Sequence, residues 1–330
     1  MTDTPVIPSI PRSLWKLTID PRGKADPEAD SFAFCMGQGL IGIGWRFENP
    51  PLEGRLVRQA FKAERGGRFP VGMNVIANRA AIGDHVWLYR RGKYFIAKIL
   101  GDWEYRDGTE WRDHDIHNVR RAEWREVDEV LVPGIVRRKL TMYGTAQKIT
   151  QDQEWCAYSA VVFGDSSSIS RGLTAETRVR LSEALRSRAA TEIFSVLDAD
   201  EIEDLVCLYL QQDLGWRIIK SSTYRSQRDT ECILRKRSTD GTLTGYVQVK
   251  SGKTKTLDPA SFAPMAESGT VYLFSTAKRP YRDTQVPGVE LLQHGTIMDF
   301  LVRELDLLPV PSQLKLAIWT GIPAVGRHVR

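Results

Sequence analysis

The chain lacks several features that would assign it quickly to a class of protein. Its 330 residues include only 4 cysteines and 5 histidines, with no CxxC pair and no Cys/His cluster at zinc-site spacing. No apolar run approaches the roughly 20 residues that span a bilayer. No GxxxxGK[ST] string is present to bind a nucleotide. These absences argue against a zinc finger, a membrane-spanning protein and a nucleotide hydrolase, and we expect no nucleotide cofactor and no membrane partner.

The four cysteines and the first residues of the chain predict a reducing compartment. The cysteines are scattered in apolar surroundings, so we expect buried, reduced thiols. The first fifteen residues do not pair a basic segment with an apolar core, as a secretory signal would. We therefore expect a cytoplasmic protein. The cysteines are Cys35, Cys156, Cys207 and Cys232.

The net charge of the chain is small and positive, and it is unevenly distributed along the sequence. Residues 1–150 hold 24 Lys and Arg against 19 Asp and Glu, whereas residues 151–330 hold 22 of each. The net charge of +5 therefore lies in the first half. This asymmetry is a weak indication that the first half meets a polyanion.

The first half reads mainly as short β-strands. Only residues 54–65 show a helical pattern there. Many strands with few helices predict a small, closed β-barrel over residues 1–163. The segments 85–89 and 94–100 flank a glycine turn and predict a hairpin. Further strand patterns cover residues 14–19 and 39–45.

The second half has the pattern of a separate α/β domain, so the predicted fold class is multi-domain α/β. A polar, Ser- and Gly-rich stretch begins at residue 164, and we interpret 164–197 as a linker with a connecting helix. Beyond it, helices and strands alternate in the order helix, three strands, helix, two strands, helix. This order predicts a mixed sheet flanked by helices over residues 198–330.

Two short pieces of this second domain carry candidate chemistry. They are Asp229 and, 19 positions later, the tripeptide Gln248-Val249-Lys250. Phosphodiester hydrolysis needs a metal ion that polarises the phosphate and generates hydroxide near neutral pH. Mg²⁺ needs only one or two protein oxygens, because it keeps several waters, and Mn²⁺ would fit the same oxygens.

The spacing suggests a role for each residue. Asp229 would supply a carboxylate to the metal. Strand alternation places Gln248 and Lys250 on one face, so the Gln248 amide oxygen is a second candidate metal ligand. Lys250 would hold the attacking water and offset charge in the transition state. A solvated strand end would show the same alternation without any catalytic role.

Asp229, Gln248 and Lys250, on this order of elements, resemble the PD-(D/E)xK nucleases. Within that family the chain is most similar to the Mrr-like branch, in which glutamine often replaces the acid of the final motif. The resemblance covers roughly residues 198–305. It implies a further glutamate on the first helix, at Glu203.

The chain departs from the family pattern just before Asp229. Family members usually carry glycines there, whereas this chain has Ser226-Gln227-Arg228. Glu231 lies two residues beyond Asp229 and would share its strand face. Glu231 is therefore either an additional metal ligand or the actual one in place of Asp229.

Aromatic and basic residues crowd the first half. Aromatic side chains at strand ends can sandwich a base lifted from its helix, and nearby cations can hold backbone phosphates. Tryptophans in a small barrel are more often core, so we expect half of the six aromatic residues to be buried. The aromatic residues are Trp15, Trp45, Trp87, Trp103, Tyr105 and Trp111, and the cations are Arg46, Arg90, Arg91, Lys93, Lys98 and Arg106.

Three segments of this half, at 42–45, 83–87 and 97–105, resemble the PUA-like superfamily, and among its members the EVE and YTH readers of modified bases. The resemblance covers roughly residues 12–130. It implies one tryptophan-walled pocket for a flipped base. Residues 131–170 match no pattern. The candidate base-binding residues are Trp45, Trp87, Trp103, Tyr105, Asn74 and Asp102.

A base reader joined to a metal-dependent nuclease suggests a modification-dependent restriction endonuclease. We expect it to recognise a flipped modified base in double-stranded DNA, most simply a modified cytosine, and to cut nearby with Mg²⁺. Because each chain offers one active site, cutting both strands favours a homodimer or a higher oligomer. The same domains would also suit a repair or RNA-processing nuclease, or a catalytically inactive nucleic-acid-binding protein.

Overall fold

The computed structural model describes residues 10–21, 23–164, 172–219, 222, 230–239, 241–252 and 255–323. The chain forms two compact units, Met1–Arg171 and Gly172–Arg330, and both combine helices with a sheet. The α/β class is therefore confirmed. Within the described ranges, no helix has the length and apolar character needed to cross a membrane.

The first unit contains a six-stranded sheet in the order β2-β5-β4-β3-β1-β6. β1 runs parallel to β3, and the other neighbouring strands are antiparallel. The predicted hairpin is present as β3 and β4, paired from His85↔Lys98 to Arg90↔Lys93. Among these described strands no hydrogen bonds join the edge strands β2 and β6, so closure into a barrel stays a prediction. The strands are β1 Leu14–Leu17, β2 Leu40–Ile43, β3 His85–Arg90, β4 Lys93–Tyr105, β5 Asn118–Val127 and β6 Ala146–Thr150.

Helices are more numerous in the first unit than the sequence pattern predicts. The predicted helix at 54–65 is present as a 3-10 turn followed by α2. The expectation that it would be the only helix there is wrong. Helix α6 shows why: most of its turns are buried on all sides, so it lacks the amphipathic period that marks a surface helix. The helices are α1 Ser31–Gly37, α2 Val57–Arg65, α3 Val71–Asn74, α4 Thr109–His114, α5 Gly134–Thr141 and α6 Gln153–Gly164.

A buried aspartate ties the start of the chain to this sheet. Asp84 is 2% exposed, and its carboxylate accepts hydrogen bonds from the backbone of Arg12, Ser13 and Ala81. It also accepts one from Trp15 Nε1 at 2.8 Å. Four donors satisfy a charge that would otherwise be costly to bury. The glycine-aspartate step before β3 is therefore structural.

The second unit contains a five-stranded mixed sheet in the order β11-β10-β9-β8-β7. β7, β8 and β9 pair antiparallel, whereas β9, β10 and β11 pair parallel. The predicted mixed sheet is confirmed, and its strands alternate with helices along the chain in the predicted order. The strands are β7 Arg217–Ile218, β8 Cys232–Ser238, β9 Gly241–Lys250, β10 Thr270–Ser275 and β11 Val289–Leu291.

Six helices accompany this sheet in the described part of the second unit. α7, which we assigned to the connecting segment, packs within this unit, where Ser182 Oγ donates to the Val302 carbonyl at 3.1 Å. The helix that follows the last two strands of the predicted order is present as α11, which begins at His294. The helices are α7 Ala175–Arg186, α8 Ala190–Val196, α9 Ala199–Gln212, α10 Ala263–Ala266, α11 His294–Arg303 and α12 Val310–Trp319.

Helix α9 is positioned by its start and by its apolar stripe. Asp198 and Glu201 form a reciprocal capping box. The buried side chains of Ile202, Leu205 and Val206 follow at helical spacing. Because these residues take the inner face, Glu203 lies at the margin of the helix, where it is only partly buried.

Candidate active site and base pocket

Glu231, Gln248 and Lys250 form a connected cluster where β8 begins and β9 ends. Cys232 pairs with Val247 across the antiparallel strands, and the Glu231 amide donates to the Val247 carbonyl at 2.8 Å. Since side chains alternate along a strand, this register sets Glu231 beside Gln248. The strand geometry thus brings together residues that are 17 and 19 positions apart.

One oxygen of Glu231 is the centre of this cluster. Its Oε1 accepts a hydrogen bond from Gln248 Nε2 at 2.5 Å. The same oxygen lies 3.5 Å from Lys250 Nζ. The carboxylate is therefore held in a fixed position by an amide and an ammonium group. Glu231 is 28% exposed and Lys250 40% exposed, so both side chains can be reached from solvent.

Gln248 is more deeply buried than its neighbours in the cluster. It is 2% exposed, and its Nε2 also donates to the Val249 carbonyl at 3.0 Å. This orientation turns the amide nitrogen toward Glu231. The amide oxygen would face that carboxylate only after the group turns over, and an amide's two ends are assigned from its hydrogen bonds. A metal ion beside Glu231 would favour the turned orientation.

The charges of the same cluster affect the pKa of Glu203, which lies on α9. Burial raises the pKa of Glu203 to about 7, and repulsion from Glu231, Asp200 and Asp204 adds to the shift. Lys250 acts in the opposite direction. A carboxyl that lies near another carboxylate and resists ionisation is typical of functional sites. A divalent cation would relieve this repulsion.

The donor set suits a hard cation. Glu203, Glu231 and the amide oxygen of Gln248 are all oxygen donors, which Mg²⁺ and Mn²⁺ prefer. Across the described residues no three His, Cys, Asp or Glu side chains are already grouped around one metal position. Asp229, the principal ligand predicted from sequence, lies outside the described residues. The fit therefore rests on two carboxylates and one amide.

Two cysteines lie directly beside these acids. Cys207 Sγ of α9 and Cys232 Sγ of β8 are 4.0 Å apart, one helical turn from Glu203 and one residue from Glu231. All four cysteines are free thiols. Three are buried, as predicted, but Cys207 is partly exposed.

The first unit contains an open pocket of about 510 Å³. Trp45 lies at its edge with 42% of its surface exposed, and Tyr143 is 91% exposed. Such a volume falls within the range of about 300–1,000 Å³ for small-molecule sites. The lining residues come from the ends of β1 and β2 and from the segment between α5 and β6; they are Thr18, Ile19, Asp20, Pro21, Gly42, Ile43, Gly44, Trp45, Leu140, Met142, Tyr143, Gly144 and Thr145.

Trp45 is held in an unusual backbone conformation. Its φ is +73°, a left-handed value that costs a non-glycine residue about 1–2 kcal/mol. The Asn118 side chain stabilises this backbone conformation, because its Nδ2 donates to the carbonyls of Gly44 and Trp45. Trp103 Nε1 in turn donates to Asn118 Oδ1 at 3.3 Å. Strain maintained by a buried network is typical of a functional position.

Asp115 supports the pocket from behind Gly44. A Cβ on Gly44 would lie 2.6 Å from an Asp115 carboxylate oxygen, so a larger residue there would require this carboxylate to move. The Asp115 carboxylate also accepts a hydrogen bond from the Gly23 amide, at 3.0 Å. Burial raises the pKa of Asp115, while this hydrogen bond, His117 and Arg65 oppose the shift. Asp115 therefore places a partly buried carboxyl against the pocket wall.

Of the six predicted base-binding residues, Trp45 lines the pocket, and Trp103 is linked to the Trp45 carbonyl by two hydrogen bonds through Asn118. Trp103 is only 8% exposed, so its role here is to orient Asn118. Trp15, Trp87 and Trp103 are buried, which matches the expectation that half of the six aromatic residues are core.

Two further predicted aromatic positions, Trp87 and Tyr105, lie away from the lining of the pocket. Trp87 has no exposed surface, and its Nε1 donates to Ser159 Oγ at 3.1 Å. Trp87 is therefore a core residue and not a wall of this pocket, because it is packed against the buried Ser159. Tyr105 is half-buried and bonds through its hydroxyl to the backbone of Phe47.

The two polar candidates make surface contacts. Asn74 Oδ1 accepts from Arg58 and Asn78, each at 3.4 Å. Asp102 is exposed and lies 3.5 Å from Arg120 Nη2. Neither lines the pocket, and their role in reading a base stays a prediction.

Comparisons with known proteins add little to this geometry. No family and no curated protein matches the chain. Two solved structures were found at low similarity. The DNA modification-dependent restriction endonuclease AspBHI is 13% identical, with 86% of this chain and 78% of that chain covered and a TM-score of 0.26. The MspJI restriction endonuclease in complex with a 27-mer oligonucleotide is 14% identical, with 96% and 81% covered and the same TM-score. At that TM-score neither likeness carries an argument.

Proposed function

We propose that this protein is a divalent-metal-dependent endonuclease that cuts DNA near a modified base. The observation that carries the proposal is the cluster in which Gln248 and Lys250 both contact Glu231 Oε1. An ion pair alone would be a common surface feature. Here it is joined by Glu203, whose pKa is raised to about 7 partly by the Glu231 charge. Two acids kept close despite their repulsion favour a cation between them.

In this proposal each side chain has a separate task. Glu203 and Glu231 supply carboxylate oxygens, with Asp229 as a further ligand, and the Gln248 amide orients Glu231 or turns to add its oxygen. When bound, Mg²⁺ or Mn²⁺ would polarise the scissile phosphate and lower the pKa of a water. The Lys250 ammonium is close enough to Glu231 to hold that water by a hydrogen bond and to offset developing negative charge.

The pocket in the first unit would provide selectivity. A base turned out of the duplex would stack on Trp45 and meet the exposed ring of Tyr143. The backbone groups of 42–45 that line the pocket would offer hydrogen bonds to the base edge. We expect a modified cytosine, and a homodimer or higher oligomer for cutting both strands, because each chain contributes one active site.

A cleavage assay on matched duplexes tests the proposal. Duplexes carrying cytosine, 5-methylcytosine or 5-hydroxymethylcytosine are incubated with and without Mg²⁺. We expect Mg²⁺-dependent cleavage of at least one modified duplex and at least tenfold less cleavage of the plain one. Equal cleavage of all three would overturn the reading of a modified base. Single-stranded RNA of the same sequence, if cut faster, would point to an RNA-processing enzyme.

Variants separate the contributions of the two competing acids. Asp229→Ala and Glu231→Gln are each compared with Glu267→Gln, an exposed acid in the same unit. Loss of more than 100-fold in rate for Glu231→Gln, with Glu267→Gln unchanged, is the expected result. If only Asp229→Ala is inactive, Glu231 is an orienting residue and Asp229 the ligand. If both variants keep full activity, the site is not catalytic.

A further inference from the structure

Helix α2 presents a row of three cations to solvent. Arg58, Lys62 and Arg65 are exposed and lie at positions i, i+4 and i+7, which share one helical face. The adjoining face carries Val57 and Phe61, which are buried in the core. We call Arg58, Lys62 and Arg65 the α2 cationic row.

The α2 cationic row differs from most of the cations that we predicted to bind phosphates, because no salt bridge in the described residues joins it to an acid; Arg65 acts on Asp115 only at longer range. Within the described part of the chain, no carboxylate lies at ion-pair distance from any of the three. Arg58 donates to the Asn74 side-chain oxygen at 3.4 Å and Arg65 to the Arg46 carbonyl at 2.7 Å, both neutral acceptors. By contrast, several cations predicted to bind phosphates are already paired: Arg90 with Asp20 and Asp30, Arg91 with Asp30, Lys93 with Glu126, Arg106 with Glu104, and Arg46 with Asp107.

The acid within α2 is also engaged elsewhere. The Glu64 carboxylate accepts hydrogen bonds from the Asn49 amide at 2.8 Å and the Glu48 amide at 3.2 Å. Glu64 therefore holds the loop after β2 and does not pair with its neighbours Lys62 or Arg65. The exposed positive charge of the row is left for a partner.

Direct contacts join the row to the pocket. The ring of Phe61, on the inner face of α2, packs edge-on against Trp45 with centroids 5.6 Å apart. Arg65 is bonded to the carbonyl of Arg46, the residue after Trp45. A strand that placed a base against Trp45 would therefore bring its own backbone close to Arg65.

We propose that the α2 cationic row binds the phosphates of the nucleic-acid strand whose base enters the pocket. This inference rests on the proposed function, and it names the surface that holds the backbone of the bound strand. Seven residues of helix rise about 10 Å, and one DNA strand carries a phosphate about every 3.4 Å along the axis. The row therefore covers about three phosphates. Its contacts position the strand, and the pocket supplies the selectivity.

Salt-dependent binding tests the inference. The probe is a fluorescent duplex with one 5-methylcytosine, measured without Mg²⁺ so that no cutting occurs. We compare the unaltered chain with Arg58→Gln/Lys62→Gln/Arg65→Gln. Each phosphate contact contributes about 0.9 to the slope of log K against log salt. The triple variant is expected to lower that slope by about 2 to 3 and to weaken binding at least tenfold.

The matched control removes three exposed cations that are paired with acids. Arg55→Gln/Arg112→Gln/Arg125→Gln, whose acidic partners are Glu53, Asp107 and Glu123, changes the net charge by the same amount but is expected to change the slope by less than 1. A second variant, Arg58→Lys/Arg65→Lys, keeps the charges and is expected to keep the slope, which separates charge from folding.

The outcomes distinguish this inference from the proposed function. If the triple variant in α2 binds with the slope and affinity of the unaltered chain, the row is not a phosphate site, although the nuclease proposal stands. If both triple variants lower the slope equally, net charge rather than this surface accounts for binding and the inference is wrong. If the unaltered chain binds no duplex at all, the proposed function itself fails.

Discussion

Replacing Glu203 by glutamine should separate stability from activity. In the folded chain the Glu203 carboxyl is half protonated near neutral pH, because burial and the Glu231, Asp200 and Asp204 charges raise its pKa from 4.5 to about 7. In the unfolded chain the Glu203 carboxyl is neither buried nor close to these charges, so its pKa returns to its ordinary value. Without a metal ion, the ionised Glu203 carboxylate therefore destabilises the folded state. Glutamine keeps the size and removes the charge.

The magnitude follows from the pKa difference. Each pKa unit corresponds to about 1.4 kcal/mol, so the full shift is worth about 3 kcal/mol. Because Glu203 is partly exposed, solvent screening reduces this to about 1–2 kcal/mol. The folded state binds more protons than the unfolded state between pH 4.5 and 7, so stability falls as pH rises through that window and levels off above it.

Thermal unfolding with and without Mg²⁺ provides the assay. At pH 8 without metal, Glu203→Gln should raise the melting temperature of the second unit by about 3–6 °C, whereas at pH 4.5 the two proteins should melt together. Mg²⁺ should stabilise the unaltered chain but not the variant, which should also lose cleavage. Exposed Glu267→Gln serves as the control. If the variant is destabilised at pH 8, the ionised Glu203 carboxylate does not destabilise the folded state. If the variant still gains stability from Mg²⁺, Glu203 is not a metal ligand.

Three further predictions concern the pocket and the thiols. Asn118→Ala leaves the carbonyls of Gly44 and Trp45 without their donor. Chemical denaturation should therefore show that the free energy of unfolding falls by about 1–3 kcal/mol, and modified DNA should bind more weakly. Unchanged binding would contradict the role given to Asn118. Gly44→Ala should destabilise the first unit by about 1–3 kcal/mol, because its Cβ would meet Asp115 at 2.6 Å; an unchanged denaturation midpoint would show that this carboxylate moves freely. The oxidant diamide should form a disulfide between Cys207 and Cys232, whose sulfurs lie 4.0 Å apart. Mass spectrometry should detect the linked peptides in the unaltered chain but not in Cys207→Ser. Failure to form the disulfide would mean that α9 and β8 cannot approach to bonding distance.

The second unit was predictable from sequence in most of its elements. Alternation and turn residues mark the strands that became β8, β9 and β10, and local patterns of this kind need no knowledge of distant contacts. The placement of Glu231 beside Gln248 depends on the register of β8 and β9, which a single sequence does not fix. The sequence left Glu231 as an alternative to Asp229, and the register gives Glu231 two defined partners.

The first unit was less predictable, for a physical reason. Helix α6 is buried on nearly every side, so no amphipathic pattern marks it. The pocket is built from chain segments far apart in sequence, with Trp45 on one side and Tyr143 on the other. Trp87 and Trp45 follow similar glycine-containing strings, yet one is core and the other exposed. Only the pairing of the strands distinguishes them.

The most direct test of the central claim is Mg²⁺-dependent cleavage of a modified duplex by the unaltered chain and by Lys250→Ala. Arg237→Ala is the matched control, because Arg237 pairs with Thr242 at the far end of the same hairpin, about 26 Å along the strand from Lys250. We expect cleavage by the unaltered chain and by Arg237→Ala, and at least a 100-fold lower rate for Lys250→Ala. Equal rates for all three proteins, or no metal-dependent cleavage by any of them, would contradict the central claim.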